Sequence, residues 1–250
     1  MPTESLLALV AVYFAVSVVT VVTGGGTLVQ VPALIAFGMA PRTAIATNMF
    51  AITWMSASAT ARFARAGAVG GPRVVPLVVI TALTSALGAG LTVALPERSV
   101  KGVVAASMVA MLIFLMATPR FGEAPVAPSR VRLAVGFVAV AVLGVYGGLF
   151  SGGYTTLLTF TCVVALGMPL MRTVATTKLV NLASCAVASA VFVVAGLVDY
   201  RVAVPAAVAS FAGGWTGATL ALQRGDRFVR GQFLAAVLAM AVKLVVDLLR

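Results

Sequence analysis

Apolar and polar positions divide this chain into ten blocks. Apolar runs lie at about 5–23, 27–38, 43–64, 73–95 and 100–118, and again at 132–150, 155–168, 172–195, 202–223 and 228–249. The stretches between them are short, and most charged residues lie in them or at the ends of the runs. Most of the runs approach the length of about 20 helical residues that crosses a bilayer. Two do not. The runs 27–38 and 155–168 are too short, and each follows a glycine break, Gly24-Gly25-Gly26 in one case and Ser151-Gly152-Gly153 in the other. The pattern predicts an all-α polytopic membrane protein with one short, discontinuous helix in each half.

The halves are copies. Residues 23–102 align with 152–231 without a gap, at a fixed offset of 129 (153 − 24). Gly24 falls on Gly153, Gly38-Met39 on Gly167-Met168, Ala46-Thr47 on Ala175-Thr176, Gly67 on Gly196 and Gly88-Ala89 on Gly217-Ala218. The predicted organisation is a first repeat at 1–118, a polar, Pro-containing linker at 119–131 and a second repeat at 132–250, together one integral membrane unit. Five crossings per copy is an odd number, so the copies are expected to be inverted relative to each other. Leaving Lys178 aside, ten crossings put ten Arg and Lys on one side and six on the other. Re-entrant short segments divide them nine to seven. The positive-inside rule favours ten crossings, with both termini outside. Met1-Pro2-Thr3-Glu4 lacks a basic leader, so the run 5–23 reads as a retained helix.

Composition agrees with this reading. The chain is 62% hydrophobic and 9% charged, with a mean hydropathy of +1.14. A soluble domain carries about 25% charged residues, so this one has too few to wet its own surface. The formal charge of +11 comes from basic residues scattered among short loops. That is a topology and headgroup pattern and does not suggest nucleic acid. His is absent, and Cys162 and Cys185 lack metal-ligand spacing, so neither a metal nor another cofactor is expected. The expected partners are the lipid bilayer and a small anion, with a homodimer left open.

Candidate chemistry gathers at the breaks and in one long run. A helix restarting after a break presents unpaired N–H groups and a positive dipole end. Thr27 and Thr155-Thr156 add hydroxyls there. Two such ends converging near the midplane would form an anion site built largely from backbone. Lys178 lies in Thr176-Thr177-Lys178-Leu179-Val180-Asn181, inside the run 172–195. An ammonium at that depth costs roughly 2.5–3.5 kcal/mol on insertion scales. No acidic residue shares a span with it, which invites an anionic substrate; snorkelling to the interface is the competing reading. Asn181, at i+3, lies on the same helix face. At the matching position of the first copy, Met49 follows Thr47-Asn48, and Asn48 joins the candidates. Gln30 is open between a helix–helix tie and a site residue. The small residues Ser85, Gly88 and Ala89, and Gly213, Gly214, Gly217 and Ala218, read as packing faces.

The ordered set occurs twice. The first copy has Gly-Gly-Gly-Thr-Leu-Val-Gln-Val-Pro at 24–32, Gly-Met-Ala-Pro at 38–41 and Ala-Thr-Asn at 46–48. The second has Ser-Gly-Gly at 151–153, Gly-Met-Pro at 167–169 and Ala-Thr-Thr-Lys-Leu-Val-Asn at 175–181. Over nearly its whole length the chain resembles the sulfite exporter TauE/SafE family of membrane permeases. The resemblance implies a transporter of small sulfur-containing anions: sulfite, sulfonates or related organic acids. The expectation is a multi-pass protein of a bacterial inner membrane that exports a sulfur-containing oxyanion or organosulfonate, since an inside-negative potential drives an anion out of the cytoplasm. The substrate-binding residues expected are Gly24, Gly25, Gly26, Thr27, Thr47, Asn48, Ser151, Gly152, Gly153, Thr155, Thr176, Thr177, Lys178 and Asn181. The chain departs from the family where Met49 stands in place of a frequent lysine, and where Tyr154 and Thr155 replace common glycines. The departure implies a substrate of lower charge or with an apolar part. An anion channel without alternating access is the second reading. An intramembrane enzyme is disfavoured, because Ser151 has no histidine to serve as its base, and a purely structural scaffold is the last option.

Overall fold

Three pairs of left-handed glycines recur at the spacing of the sequence repeat: Gly24 and Gly153 (φ 81° and 75°), Gly38 and Gly167 (88° and 62°), and Gly67 and Gly196 (67° and 68°). The helix stops they make also recur. Ala68 N–H closes on Phe63 O, and Leu197 N–H on Phe192 O, both at 3.0 Å. These are the six-to-one bonds of a Schellman motif, which satisfies carbonyls orphaned at a helix end. The duplication read in the sequence is therefore a duplication of backbone conformation.

The computed structural model describes residues 3–100, 102–103, 106 and 129–248. Among them there is no strand, and eight helices have described bounds: α1 Thr3–Thr23, α2 Thr27–Ala36, α3 Pro41–Arg65, α4 Val74–Ala94, α5 Arg130–Leu149, α6 Tyr154–Val164, α7 Leu170–Val194 and α8 Tyr200–Leu248; residues 97–100, 102–103 and 106 are helical as well. The expected fifth run, 100–118, and the linker residues 119–128 lie almost wholly outside the described residues. Pro41 opens α3 at a position where its missing N–H is harmless. Ser129 caps α5 by accepting from Arg132 N–H at 3.3 Å. Gly225 (φ 67°, ψ −169°) breaks α8 at the polar interruption that separates the last two apolar runs. The two short helices have 10 and 11 residues, as the pattern predicts.

Contacts give the helix directions. Tyr13 meets Asn48 and Thr20 meets Met55, both 35 positions apart, so α1 and α3 run in the same sense. The chain between them must return, and α2 with its flanks is the segment that does so. Helices α3 and α8 also run together, with Phe50 on Tyr200 and Arg62 on Thr219. Helices α3 and α7 run in opposite senses, with Thr53 on Ser189 and Ser56 on Asn181.

The repeats exchange their fourth helices. Helix α4 packs on α5 and α7 of the other copy, and α8 packs on α1 and α3. Small residues permit the approach. A Cβ added at Gly88 would lie 1.9 Å from Val145 O of α5. One added at Gly217, the repeat mate of Gly88, would lie 2.3 Å from Val18 O of α1. The small-residue faces are thus packing faces, as expected.

The outer surface is bare hydrocarbon. Val75, Val79, Leu83 and Leu87 of α4, and Val131, Val135, Val138 and Val142 of α5, are between 50% and 73% exposed. Their spacing of three or four makes a stripe along each helix that only lipid can cover. Four described helices are long and apolar enough to cross a bilayer, at Leu6–Thr23, Val74–Ala94, Arg130–Leu149 and Leu170–Val194.

The α4–α5 crossing can be tested with two neighbouring glycines. Gly88→Ala forces overpacking against a backbone carbonyl and should destabilise by about 1–3 kcal/mol. Gly90→Ala meets nothing within 4 Å, and should be neutral or gain about 0.5–1 kcal/mol. Thermal melting of the two variants in detergent separates them; equal melting would contradict the close crossing.

Candidate functional site

The site is built where α1 ends. Carbonyls at a helix end lack partners within it, and here those of Thr23 and Gly24, together with that of Thr20, which also accepts from Gly24 N–H, receive groups from the second repeat. Thr155 Oγ1 donates to Gly24 O at 3.0 Å, and Thr156 Oγ1 to Thr23 O at 2.5 Å. Lys178 Nζ donates to Thr20 O at 3.1 Å. The negative dipole end of α1 faces the ammonium, a favourable arrangement. Lys178 is 1% exposed, so it does not snorkel to the interface. The acidic side chains Glu97 and Asp199 are engaged elsewhere, with Arg42 N–H and Arg201 N–H respectively. The ammonium, expected to be unpaired, is bonded to a backbone carbonyl.

Both glycine breaks serve this junction. A Cβ at Gly24 would lie 2.5 Å from Thr155 Oγ1 and 2.6 Å from Thr156 N, so only glycine lets the two breaks touch. Across from it, Gly153 caps α6 in the left-handed region. Ser151 (φ 63°) is the one non-glycine residue with positive φ among the described residues. Such strain, of order 1–3 kcal/mol, collects at functional positions. Gly152 packs under the Phe150 ring, where a Cβ would come within 2.1 Å.

Hydrogen bonds hold α2 and α7 around the junction. Tyr13 O–H donates to Asn48 Oδ1 at 2.9 Å, and Asn48 Nδ2 donates to Thr27 Oγ1 at 3.3 Å, tying α1, α3 and the start of α2. Asn181 Nδ2 donates to Ser56 Oγ at 2.6 Å, tying α7 to α3. Thr177 Oγ1 donates to Val174 O and lies 3.3 Å from Thr159 Oγ1 of α6.

These groups enclose a cavity of about 10 Å³, lined by Thr20, Gly24, Gly26, Thr27, Gln30, Ile52, Met55, Ser151, Thr155 and Asn181. That is room for about one water. Both repeats contribute to the wall. Gln30 is 1% exposed, and neither its Oε1 nor its Nε2 has a hydrogen-bond partner among the described residues.

Of the expected site residues, Gly24, Gly26, Thr27, Ser151, Thr155 and Asn181 line this cavity. Asn48 and Lys178 stand one hydrogen bond behind it, on Thr27 and on the Thr20 carbonyl. Gly25, Gly152 and Gly153 belong to the breaks, and Thr177 backs α6. Thr47 and Thr176 are not brought to the wall. The Thr47 hydroxyl accepts from Asp199 N–H at 3.1 Å, in the loop before α8. Thr176 Oγ1 is buried without a partner. Thr20, Ile52 and Met55 were missed. Thr20 sits one turn before the break, where an i−4 count from Gly24 could have found it. Ile52 and Met55 carry no chemical signal in an apolar run.

Among the described residues, no Cys, Asp or Glu gather as a metal-binding group. An all-helical bundle with apolar, exposed outer faces and a small polar cavity lined from both halves of the chain has the architecture of a polytopic membrane protein. The family model described as "Sulfite exporter TauE/SafE" matches residues 9–244, and the chain belongs to that family. It is 27% identical to a "Probable membrane transporter protein" of Haemophilus influenzae, over 98% of this chain and 96% of that one. It is 25% identical to "Probable membrane transporter protein ORF9" of a Sinorhizobium species, over 90% and 87%. It is 26% identical to "Probable membrane transporter protein YfcA" of Escherichia coli K12, over 90% and 84%. No solved structure matches the chain.

Asn48→Ala tests the tie at the start of α2. It leaves the Tyr13 hydroxyl buried and unpaired, which should cost about 1–3 kcal/mol. A lowered melting temperature in detergent is expected; an unchanged one would mean that the Tyr13–Asn48–Thr27 chain does not hold α2.

Proposed function

We propose that the protein carries a small sulfur-containing oxyanion or organosulfonate out of the cytoplasm, across a bacterial inner membrane, through the cavity between its repeats. The observation that carries this reading is a buried ammonium, Lys178, behind a polar cavity to which both copies contribute, with no carboxylate facing it among the described residues. Buried intramembrane charge marks a substrate path by default. Family membership and the names of the relatives supply the transport part of the reading.

In this reading the repeats are inverted in the bilayer, with both termini outside. The opposite senses of the repeat mates α3 and α7 support the inversion. So does the exchange of α4 and α8, which pairs each fourth helix with the first and third helices of the other copy. Substrate sites of inverted-repeat transporters lie near the midplane, where the copies meet. A cavity of about 10 Å³ passes no anion without rearrangement. The reading is therefore a carrier with an occluded state, in preference to an open channel. Outward movement needs little coupling. With the inside negative, each unit of negative charge leaving gains about 2.3 kcal/mol per 100 mV.

Anion flux in proteoliposomes under an imposed potential tests the reading. Anion should move toward the positive side, faster as the potential rises; a rate indifferent to potential would contradict electrogenic transport. Lys178→Met should abolish that flux and leave the fold intact. Met49 already occupies the matching core position, fully buried. Thr20 O also keeps its bond from Gly24 N–H, at 2.9 Å. Wild-type kinetics with a wild-type melting temperature would remove Lys178 from the site.

A further inference from the structure

We propose that the groove between α3 and α8 binds an anionic phospholipid, with its headgroup on Arg65 and an acyl chain along Phe50, Trp54 and Phe211. The groove has a volume of about 360 Å³ and is lined by Phe50, Trp54, Val204, Ala207, Val208 and Phe211, all apolar. It shares no lining residue with the cavity between the repeats, so it stands whatever the protein carries. Its lip faces outward, with Trp54 47% and Phe211 45% exposed. Phe50 packs edge-on against Trp54, ring centroids 6.4 Å apart, and against Tyr200 at 5.8 Å. One wall is therefore a fixed aromatic cluster. Trp54 stands near the middle of α3, eleven residues before its last residue, Arg65. Tryptophans of membrane proteins gather instead at headgroup level, where the ring N–H stays wet. An indole at mid-helix beside a concave apolar wall is shaped to hold hydrocarbon.

Charge complementarity identifies the rest of the ligand. Positions 50, 54, 61 and 65 fall on one stripe of α3, and 204, 208, 211 and 215 on one stripe of α8. The two stripes carry the groove on to Arg65 and Trp215, where the guanidinium lies 5.1 Å from the ring centroid. That stacking holds an exposed cation at the end of the groove. The described carboxylates Glu97 and Asp199 sit at the opposite ends of these helices, beside the backbone of Arg42 and Arg201. At the Arg65 end, segments 62–73 and 219–230 hold Arg62, Arg65, Arg73, Arg224, Arg227 and Arg230 against one acid, Asp226. Basic sites between membrane helices favour anionic headgroups. The spacing fits a lipid. From Arg65 to Trp54 the helix rises about 16 Å, and one leaflet of a hydrocarbon core about 30 Å thick spans about 15 Å. A phosphate on Arg65 thus leaves its acyl chain running the groove as far as Trp54. A free phosphate would leave the groove empty. A second copy of the chain, related by a two-fold axis along the bilayer normal, would set like charges side by side at Arg65.

The chain has two tryptophans, Trp54 and Trp215, and both stand at this site. Trp215→Phe keeps a ring under Arg65 and leaves Trp54 as the single indole. The test places this full-length variant in bilayers that mix phosphatidylglycerol and phosphatidylcholine, with bromine on the acyl chains of one lipid and then of the other, and reads the quenching of Trp54. Phosphatidylglycerol should be preferred at Trp54 about fivefold, the worth of one basic residue near an anionic headgroup. Adding Arg65→Gln should bring the ratio to about one, and adding Arg65→Lys should keep it. A ratio near one with Arg65 in place overturns the proposal, as does a preference that survives Arg65→Gln. Trp54 unquenched by both lipids also overturns it, because protein, such as a second copy, then covers the groove. A ratio that falls on adding inorganic phosphate, at constant ionic strength, assigns Arg65 to free phosphate and overturns the lipid assignment.

Discussion

The junction between the end of α1 and the start of α6 is the constraint on which the rest depends. In a bilayer no water reaches a broken helix, so each exposed backbone group needs a protein partner. Here the carbonyls left by one break are met by the hydroxyls and ammonium that follow the other, through Thr155 on Gly24, Thr156 on Thr23 and Lys178 on Thr20. The two copies are joined at the points where each is weakest alone. The cavity lies beside this joint, and Thr20, Gly24 and Thr155 belong to both.

The exchange of α4 and α8 is the second support. Among the described helices, each fourth helix packs on the first and third helices of the other half of the chain. Glycine at matching positions, Gly88 and Gly217, brings backbone against backbone at both crossings. Contact at that range depends on shape and not on the hydrophobic effect, which is weak between helices already in lipid. The outer faces of α4 and α5 can then be valine and leucine.

Within this near-symmetric frame the polar groups are distributed asymmetrically. The second copy has Lys178 where the first has Met49, and the first has Gln30 where the second has Thr159. The sequence repeat supplies matching positions, and divergence at them places polar groups unequally around the cavity, with Gln30 on its wall and Lys178 bonded to the carbonyl of wall residue Thr20.

Much of this was legible in the chain, for physical reasons that can be named. The short helices, their glycine breaks and the duplication are local: length against bilayer thickness, and the freedom of Gly24 and Gly153 to take positive φ, do not depend on what packs nearby. Lys178 announced itself because a charge in an apolar run is costly wherever it points. Its partner could not be read, because Thr20 contributes a backbone carbonyl, and every residue has one. Thr47 and Thr176 sit in the same motif as Lys178, yet their rotation on α3 and α7 turns them from the cavity. Gln30 stood undecided in the sequence, since an amide in a span is either a tie or a ligand group until its neighbours are known. Composition and periodicity determined that this chain lives in lipid as a repeated helical unit. Only the tertiary structure decided which polar groups share a wall, because that depends on helix rotation and on the exchange of α4 and α8, neither of which leaves a periodic trace along the chain.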